Sequence, residues 1–458
     1  MLWIRRGQDA LRWDGYRLFG RPPVLSPPPW ALTERVWDVL GIASAAARLA
    51  PESLQPLLDA LPRGLKRIAL VVPDATRVGA WQSVLPELIR ALLARSEARL
   101  LVLVATGTHL PVSAAEIARH LRIDALGSDD QTRIEVIQNS AAGEDRRREL
   151  GRTEQETPVR LLRDYLEADL RIGLGEVTYH YFAGFGGGPK LVFPGLADLH
   201  GARHNHRLAL SADRARLERG AAAGELRANP VHQDLLEAYR FAPLDWTLAP
   251  VAVPPVRPDP ARPEPYPIQL EVGRDLEGWE RACRRHDLLH RVPFTARPKL
   301  LIADAGGEPR DHTLLQAHKS LQHAIHFVEP GTRILLVAAC RGGYGSTLLQ
   351  ETECGRLQET ACGRPQESAR GAGHDPGSAE DLLHVQTRVA LRLATARNPI
   401  GLWSDLPAAE VQRIGFVPLE QAADALSFLR EAGSEPTWGF LPRAERFLPA
   451  AGWLGGGH

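Results

Sequence analysis

Residues 65–77 read Leu-Lys-Arg-Ile-Ala-Leu-Val-Val-Pro-Asp-Ala-Thr-Arg. Leu65–Pro73 is a short run rich in β-branched residues, the pattern of a buried strand. It ends in Asp74-Ala75-Thr76-Arg77, and the carboxyl ends of buried parallel strands are where open α/β sheets hold their ligands. A helix is expected over Trp81–Arg95. A second strand, Ala98–Ala105, ends in Thr106-Gly107-Thr108-His109. Ser113–Leu121 opens with Ser113 and Glu116 in capping-box spacing. Ala168–Leu174 is a third strand, ahead of His180, and Pro230–Tyr239 reads as a helix. Repeated strand-loop-helix units place the chain in the α/β class, with a parallel or mixed sheet.

The alternation restarts later. Strands are expected at Lys299–Ala303, Arg333–Ala339 and Ile400–Trp403. Helices are expected at Thr313–Val328, Ala379–Thr395, Ala408–Ile414 and Leu419–Ala432. Between the halves, Pro250–Pro267 holds eight prolines in 18 positions, which removes amide donors and favours extended backbone. The expected organisation is a cofactor-binding domain over 1–250, a linker over 251–268 and a second α/β domain over 269–435. A tail, 436–458, would pack back on the first domain. Residues 1–20 suggest a short strand or hairpin, followed by the proline-rich Pro22–Pro29. The octapeptides LQETECGR (349–356), LQETACGR (357–364) and PQESARGA (365–372) form a polar tandem repeat. It is read as an insertion over about 346–378.

Composition bounds the function. At 458 residues two domains are expected. The 44% hydrophobic and 24% charged content is that of a globular protein. A formal net charge of zero argues against nucleic acid as a main partner, because phosphate-backbone binding needs a basic surplus. The four cysteines form no CxxC pair and no disulfide framework, which points to a reducing cytoplasm. The N-terminus shows no signal-peptide pattern, and the longest apolar stretch, near Leu100–Ala105, is far short of a membrane span.

The chemistry concentrates in residues 180–206: His180-Tyr181-Phe182-Ala183-Gly184-Phe185-Gly186-Gly187-Gly188-Pro189-Lys190, then Pro194-Gly195 and His204-Asn205-His206. A glycine loop can cradle phosphate, and a lysine can pair with it or act as a covalent anchor. The Walker pattern needs Gly-Lys-Ser/Thr. Here Pro189 precedes the lysine and Leu191 follows it, which disfavours a nucleoside triphosphatase. His200, His204 and His206 are close enough for a metal site, although solvated histidines are the commoner outcome. His109 and His180 each follow an expected strand and suit general acid/base work near neutrality.

Taken in order, DATR (74–77), GTH (107–109), His180 ten before Lys190 and His206 sixteen beyond it, Asn229-Pro230, and Gln316 with Lys319 resemble the lactate racemase family. The likeness runs over about 10–345 and 396–450. It implies two α/β domains with an active-site cleft between them. It implies a nickel-pincer nucleotide, the Ni(II)-pyridinium-3,5-bisthiocarboxylate mononucleotide, bonded through a thioamide to Lys190, with His206 completing the nickel coordination. Asp74, Ala75, Thr76 and Arg77 would contact that cofactor. His109 and His180 would be the two proton donors and acceptors, and Gln316 and Lys319 would hold the substrate. The implied activity is an isomerase, a racemase or epimerase of a 2-hydroxy acid, working by proton-coupled hydride transfer to and from the cofactor. A carboxylate substrate needs a cation, supplied by Lys319 with Arg77 assisting. Cofactor-synthesis enzymes are the implied partners.

Three features depart from the family pattern. The repeats interrupt the second domain, Trp403 is an uncertain match to an aromatic near the cofactor, and Leu110 stands where a basic residue is common. Two other functions stay open on the residues alone. One is a nucleotide- or phosphate-binding transferase using the glycine loop. The other is a non-catalytic cofactor carrier, which would need neither His109 nor His180.

Overall fold

The computed structural model describes residues 2–6, 9–13, 51–123, 126–141, 143–252, 268–292, 298–346, 384–432, 438–441 and 443–449. Pro22–Pro29, the tandem repeats and the start of the helix expected at Ala379 lie outside these residues. The chain divides into two compact units. The first comprises Pro29–His206 and Gly224–Leu289, and the second Met1–Pro28, Arg207–Ala223 and His290–His458. The second unit includes the antiparallel pair β1 (Leu2–Arg6) and β2 (Asp9–Trp13).

The first unit is built on a six-stranded sheet. Its strands are β3 (Arg67–Pro73), β4 (Arg99–Ala105), β5 (Ile134–Gln138), β8 (Leu170–Leu174), β11 (Trp246–Ala252) and β12 (Ile268–Arg274). Their spatial order is β12-β11-β8-β3-β4-β5, parallel except for the β11–β12 pair. Between β5 and β8 the chain forms the antiparallel pair β6 (Arg147–Arg152) and β7 (Pro158–Leu162). Alternate residues of β3 face opposite cores, because side chains alternate along a strand. Ile68, Leu70 and Val72 meet Trp81, Leu85, Leu88 and Ile89 of α1 (Trp81–Arg95). Ala69 and Val71 meet Val192, Phe193, Leu235 and Tyr239 on the other side. This double burial explains the unbroken apolar run.

Strands β3, β4 and β5 run outward in one direction, and β8 then returns to the far side of β3. The order therefore reverses between β3 and β8, and at such a switch point the loops beyond the strands diverge and leave room for a ligand. Asp74–Arg77 follows β3, and the segment leading to His180 follows β8. The helix α2 (Ala114–Leu121), capped by Ser113 as expected, follows the His109 loop. Beyond β8 come β9 (Tyr179–His180), β10 (Gly184–Phe185), α3 (Pro189–Val192), α4 (Leu199–Arg207), α5 (Pro230–Arg240) and α6 (Glu277–His290).

The second unit carries a short parallel pair, β13 (Arg291–Val292) with β19 (Leu448–Pro449). Its main sheet holds β14 (Leu300–Asp304), β15 (Arg333–Val337), β16 (Ile400–Trp403), β17 (Val417–Leu419) and β18 (Trp438–Leu441). The spatial order is β17-β16-β15-β14-β18, all parallel. Its helices are α7 (Leu314–Ala324), α8 (Val385–Arg397), α9 (Ala408–Arg413) and α10 (Ala422–Arg430). Leu419, expected to begin a helix, instead ends the edge strand β17, and α10 starts at Ala422.

The boundaries differ from the sequence expectation in two places. The proline-rich stretch joins β11 to β12, which pair with each other, so residues 268–289 extend the first unit rather than begin the second. The expected tail supplies β18, which pairs with β14 of the second unit's own sheet.

Candidate active site

Asp74 closes a tight turn. Its backbone carbonyl accepts from the Arg77 amide at 3.0 Å. Its Oδ1 accepts from the Thr76 amide at 2.7 Å and from the Thr76 hydroxyl at 2.6 Å. An aspartate that satisfies its own following amide in this way fixes a turn. Arg77 is held by its carbonyl, which accepts from the Trp81 indole at 2.8 Å, and its Nη1 donates to the Thr76 hydroxyl at 3.0 Å. Ala75 completes the turn and is partly exposed.

The other oxygen of Asp74, Oδ2, lies 2.7 Å from His109 Nδ1. The β3–β4 register sets Pro73 opposite Ala105, which brings the two following loops side by side. The His109 amide donates to the Thr106 carbonyl, and Gly107, in the left-handed region at φ +56°, donates to the Gly195 carbonyl. Burial works against the Asp74 charge, yet His109, Arg77 and Thr76 together hold its carboxyl well below the usual range. An ionised carboxylate on Nδ1 keeps the proton there and leaves Nε2 as the basic atom, the orienting role that a carboxylate plays in hydrolase triads.

The glycine loop leads into α3. Gly187 and Gly188 have positive φ, +71° and +50°, and the Lys190 and Leu191 amides donate back to their carbonyls. Lys190 is half-buried. Burial first, and then the Arg77 cation, push its amine down to about 7, with Asp74 opposing. An amine titrating there is about half deprotonated, and to that extent nucleophilic, at neutrality.

His180 sits in β9, paired opposite Gly184. Its Nδ1 accepts from the Ala183 amide at 3.2 Å, which places the proton of the neutral ring on Nε2. The Phe182 ring stands edge-on to two histidines, 4.5 Å from His180 and 5.1 Å from His206 between centroids. Of the other histidines in this stretch, His200 is exposed. His204 Nδ1 lies 2.9 Å from the Thr157 hydroxyl, which donates to buried Asp234.

The first unit thus gathers Asp74, Thr76, Arg77, His109 and Lys190 into one electrostatic group, and joins His180 to His206 through Phe182. In the second unit, Lys319 donates to the Gln316 side chain at 2.6 Å, one turn apart on α7. Trp403 ends β16 and packs with Leu300, Ile302 and Phe428 in that unit's core.

Sequence reasoning missed two contributors. Asn229 was noted only as part of a motif. It caps α5 through the His232 amide, and its Nδ2 donates to the Phe182 carbonyl at 3.0 Å. Trp279, on α6, donates its indole N–H to the Gly186 carbonyl at 2.9 Å. Its only sequence signal is a glycine, Gly278, immediately before a tryptophan.

Residues 46–218 match the lactate racemase N-terminal domain. The chain is 28% identical over 291 residues to the lactate racemase of Lactiplantibacillus plantarum and 25% identical over 290 residues to that of Thermoanaerobacterium thermosaccharolyticum. Each alignment spans 63% of this chain and 63% of the relative, just under two thirds of the relative's length. The fold matches the lactate racemase apoprotein of T. thermosaccharolyticum with a TM-score of 0.72 at 19% identity, covering 98% of this chain and 99% of that one. It also matches a Thermotoga maritima protein with a TM-score of 0.60 at 16% identity, covering 85% and 97%. The fold is that of a two-unit α/β protein with an N-terminal domain of the racemase type. In sequence the chain is similar to lactate racemases, and in fold to a lactate racemase apoprotein.

Proposed function

We propose that this chain is a racemase or epimerase of a small 2-hydroxy acid. The observation that carries the reading is the Asp74–His109 pair, 2.7 Å apart, in the same group as the Lys190 amine. Inverting a hydroxylated carbon through a ketone requires removal of the hydroxyl proton. His109 Nε2 takes that proton, and Asp74 stabilises the imidazolium that forms. His180 serves the opposite hand of the substrate. Lys319, with Gln316 holding its ammonium, pairs with the substrate carboxylate, and Arg77 assists.

The residues fit a nickel-pincer nucleotide. Lys190 is a nucleophilic amine suited to a thioamide link, and His206 is the imidazole for the metal. Among the described residues no three His, Cys, Asp or Glu are grouped to hold a metal by themselves, so a metal at His206 would take its other donors from the nucleotide. Bound there, the group would supply the hydride acceptor that the side chains lack. Asp74, Ala75, Thr76 and Arg77 are the proposed polar contacts to it. The enzyme would act in the cytoplasm with the cofactor-synthesis enzymes as partners, and among the described residues no helix is long and apolar enough to cross a membrane.

The transferase alternative drew on the glycine loop. A Cβ on Gly188 would lie 2.3 Å from the Trp279 ring, and one on Gly184 would lie 2.3 Å from the Glu225 carbonyl. Packing alone therefore requires these glycines, which removes that support. The test is production of the full chain beside the cofactor-synthesis enzymes. Near-stoichiometric nickel, a mass adduct on Lys190 and loss of optical purity in one of a panel of single-enantiomer hydroxy acids are expected. Protein carrying neither nickel nor adduct under those conditions sinks the proposal.

A further inference from the structure

The amine of Lys190 can only act if the loop before it is held still, and the residues that hold it lie far away in sequence. Gly188 stands immediately before α3, and the Lys190 and Leu191 amides bond back to Gly187 and Gly188. Whatever fixes Gly186–Gly188 therefore fixes the base of the lysine side chain.

We infer that Trp279 is a positioning residue for Lys190. Its indole N–H donates to the Gly186 carbonyl at 2.9 Å. Its ring occupies the space over Gly188, where an added Cβ would come within 2.3–2.6 Å of three ring atoms. One side chain thus grips the loop by a directed bond four residues before the lysine and by a surface two residues before it. Trp279 is itself immobile. It is 2% exposed, its amide donates to the Thr247 hydroxyl at 3.2 Å, and its ring lies nearly parallel to that of His232, 5.8 Å away. Burial holds His232 down to about 4, so the partner ring is neutral under working conditions. Gly278 lets α6 come this close, since a Cβ there would meet the Thr247 carbonyl at 2.6 Å. Thr247 lies on β11, so the grip is referenced to the same sheet that carries Asp74 and His109.

Trp279 sets where the amine sits, whichever reaction Lys190 serves. The groups acting on that amine are Arg77 and Asp74, both on the turn after β3. Releasing the loop should take Lys190 away from its half-buried position and return its titration toward that of an ordinary lysine.

The test uses the full chain made without the cofactor-synthesis enzymes, so that the amine is unmodified. The extent of Lys190 acetylation by a limiting reagent is read by peptide mass spectrometry across pH, relative to exposed lysines. The wild-type profile should inflect near 7. Trp279→Ala should move the inflection upward by about one unit or more. Trp279→Phe, which keeps a ring against Gly188 but loses the N–H, should restore part of that shift. A folded variant of either kind with an unchanged inflection overturns the inference. So does failure of both variants to fold, because Trp279 would then be holding the unit and not the loop.

Discussion

His109 Nδ1 and Asp74 Oδ2 stand 2.7 Å apart, and this contact decides which imidazole nitrogen can accept a proton. A carboxylate on Nδ1 leaves Nε2 basic and stabilises the ring once it is charged. Asp74→Asn keeps the shape but offers an amide that can donate to Nδ1, which favours the wrong tautomer. The expected loss in the rate of the proposed racemisation is on the order of 10²–10⁴, the usual span for a general base. The steady-state rate with each enantiomer checks it, and a variant within twofold of wild type removes Asp74 from this role.

The same substitution has a thermodynamic signature. The Asp74 carboxyl is depressed in the folded state relative to its ordinary value of 3.8. A depressed acid contributes stability that is fully present above the unfolded value and is lost as pH falls through the folded one. The stability gap between wild type and Asp74→Asn should therefore be flat near neutrality and should close as pH falls below about 4. Melting temperatures of the two proteins across the acid range measure this, and a gap that widens in acid contradicts it.

Much of the scaffold was legible because burial is written into local patterns. Ile68–Pro73 is apolar without interruption because cores lie on both faces of β3, and Asp74 could be placed beyond its end on that ground alone. The bond from Asp74 to His109 could not, because it depends on the register that sets Pro73 opposite Ala105. His180 was expected at a strand's end, yet it lies in a two-residue strand of its own, paired with Gly184 across a turn. Prolines between 250 and 267 suggested a break between domains, but strand pairing is non-local, and β11 and β12 join across that stretch. Trp279 was invisible for the same reason: its partner, Gly186, is 93 positions away.

On α7, the Lys319 ammonium donates to the Gln316 carbonyl oxygen at 2.6 Å, which points a cation along one side of the helix. As the proposed carboxylate partner, Lys319 should affect binding more than turnover. Charge-assisted bonds contribute about twice as much as neutral ones, so Lys319→Ala is expected to raise KM by roughly tenfold or more. Gln316→Ala should raise it less, since the charge remains. Saturation kinetics with the preferred hydroxy acid decide the matter. Equal KM in Lys319→Ala and wild type assigns the carboxylate elsewhere.

Lys190 titrates at about 7 against an ordinary value of 10.5, chiefly because it is buried. A base depressed in the folded state binds its proton more weakly there than in the unfolded chain. Stability therefore rises with pH between the two values, and the penalty is fully present below the folded one. Lys190→Met should raise the melting temperature of the unmodified protein at pH 7. That advantage should shrink steadily as pH rises toward 10.5. Scanning calorimetry across this window is sufficient. A Lys190→Met protein less stable than wild type at pH 7 would show that the amine makes net favourable contacts.

Phe182 stands edge-on to both His180 and His206, at 4.5 and 5.1 Å, so it couples the proposed proton carrier to the proposed nickel ligand. The two roles proposed for this site, tether and metal ligand, can then be separated by substitution. His206→Ala removes the imidazole and leaves the Lys190 loop with its own supports from Trp279 and the Gly224–Gly184 backbone bond. Protein made beside the cofactor-synthesis enzymes should keep the mass adduct on Lys190 and lose most of its nickel on gel filtration. Lys190→Ala should lose the adduct. Phe182→Leu fills much of the space but removes the ring edge, and should lower nickel retention while leaving the adduct in place. Elemental analysis beside intact-protein mass spectrometry reads both quantities in one preparation. Full nickel retention in His206→Ala would move the protein ligand to another residue, with His180, on the other side of the same phenyl ring, the first to examine.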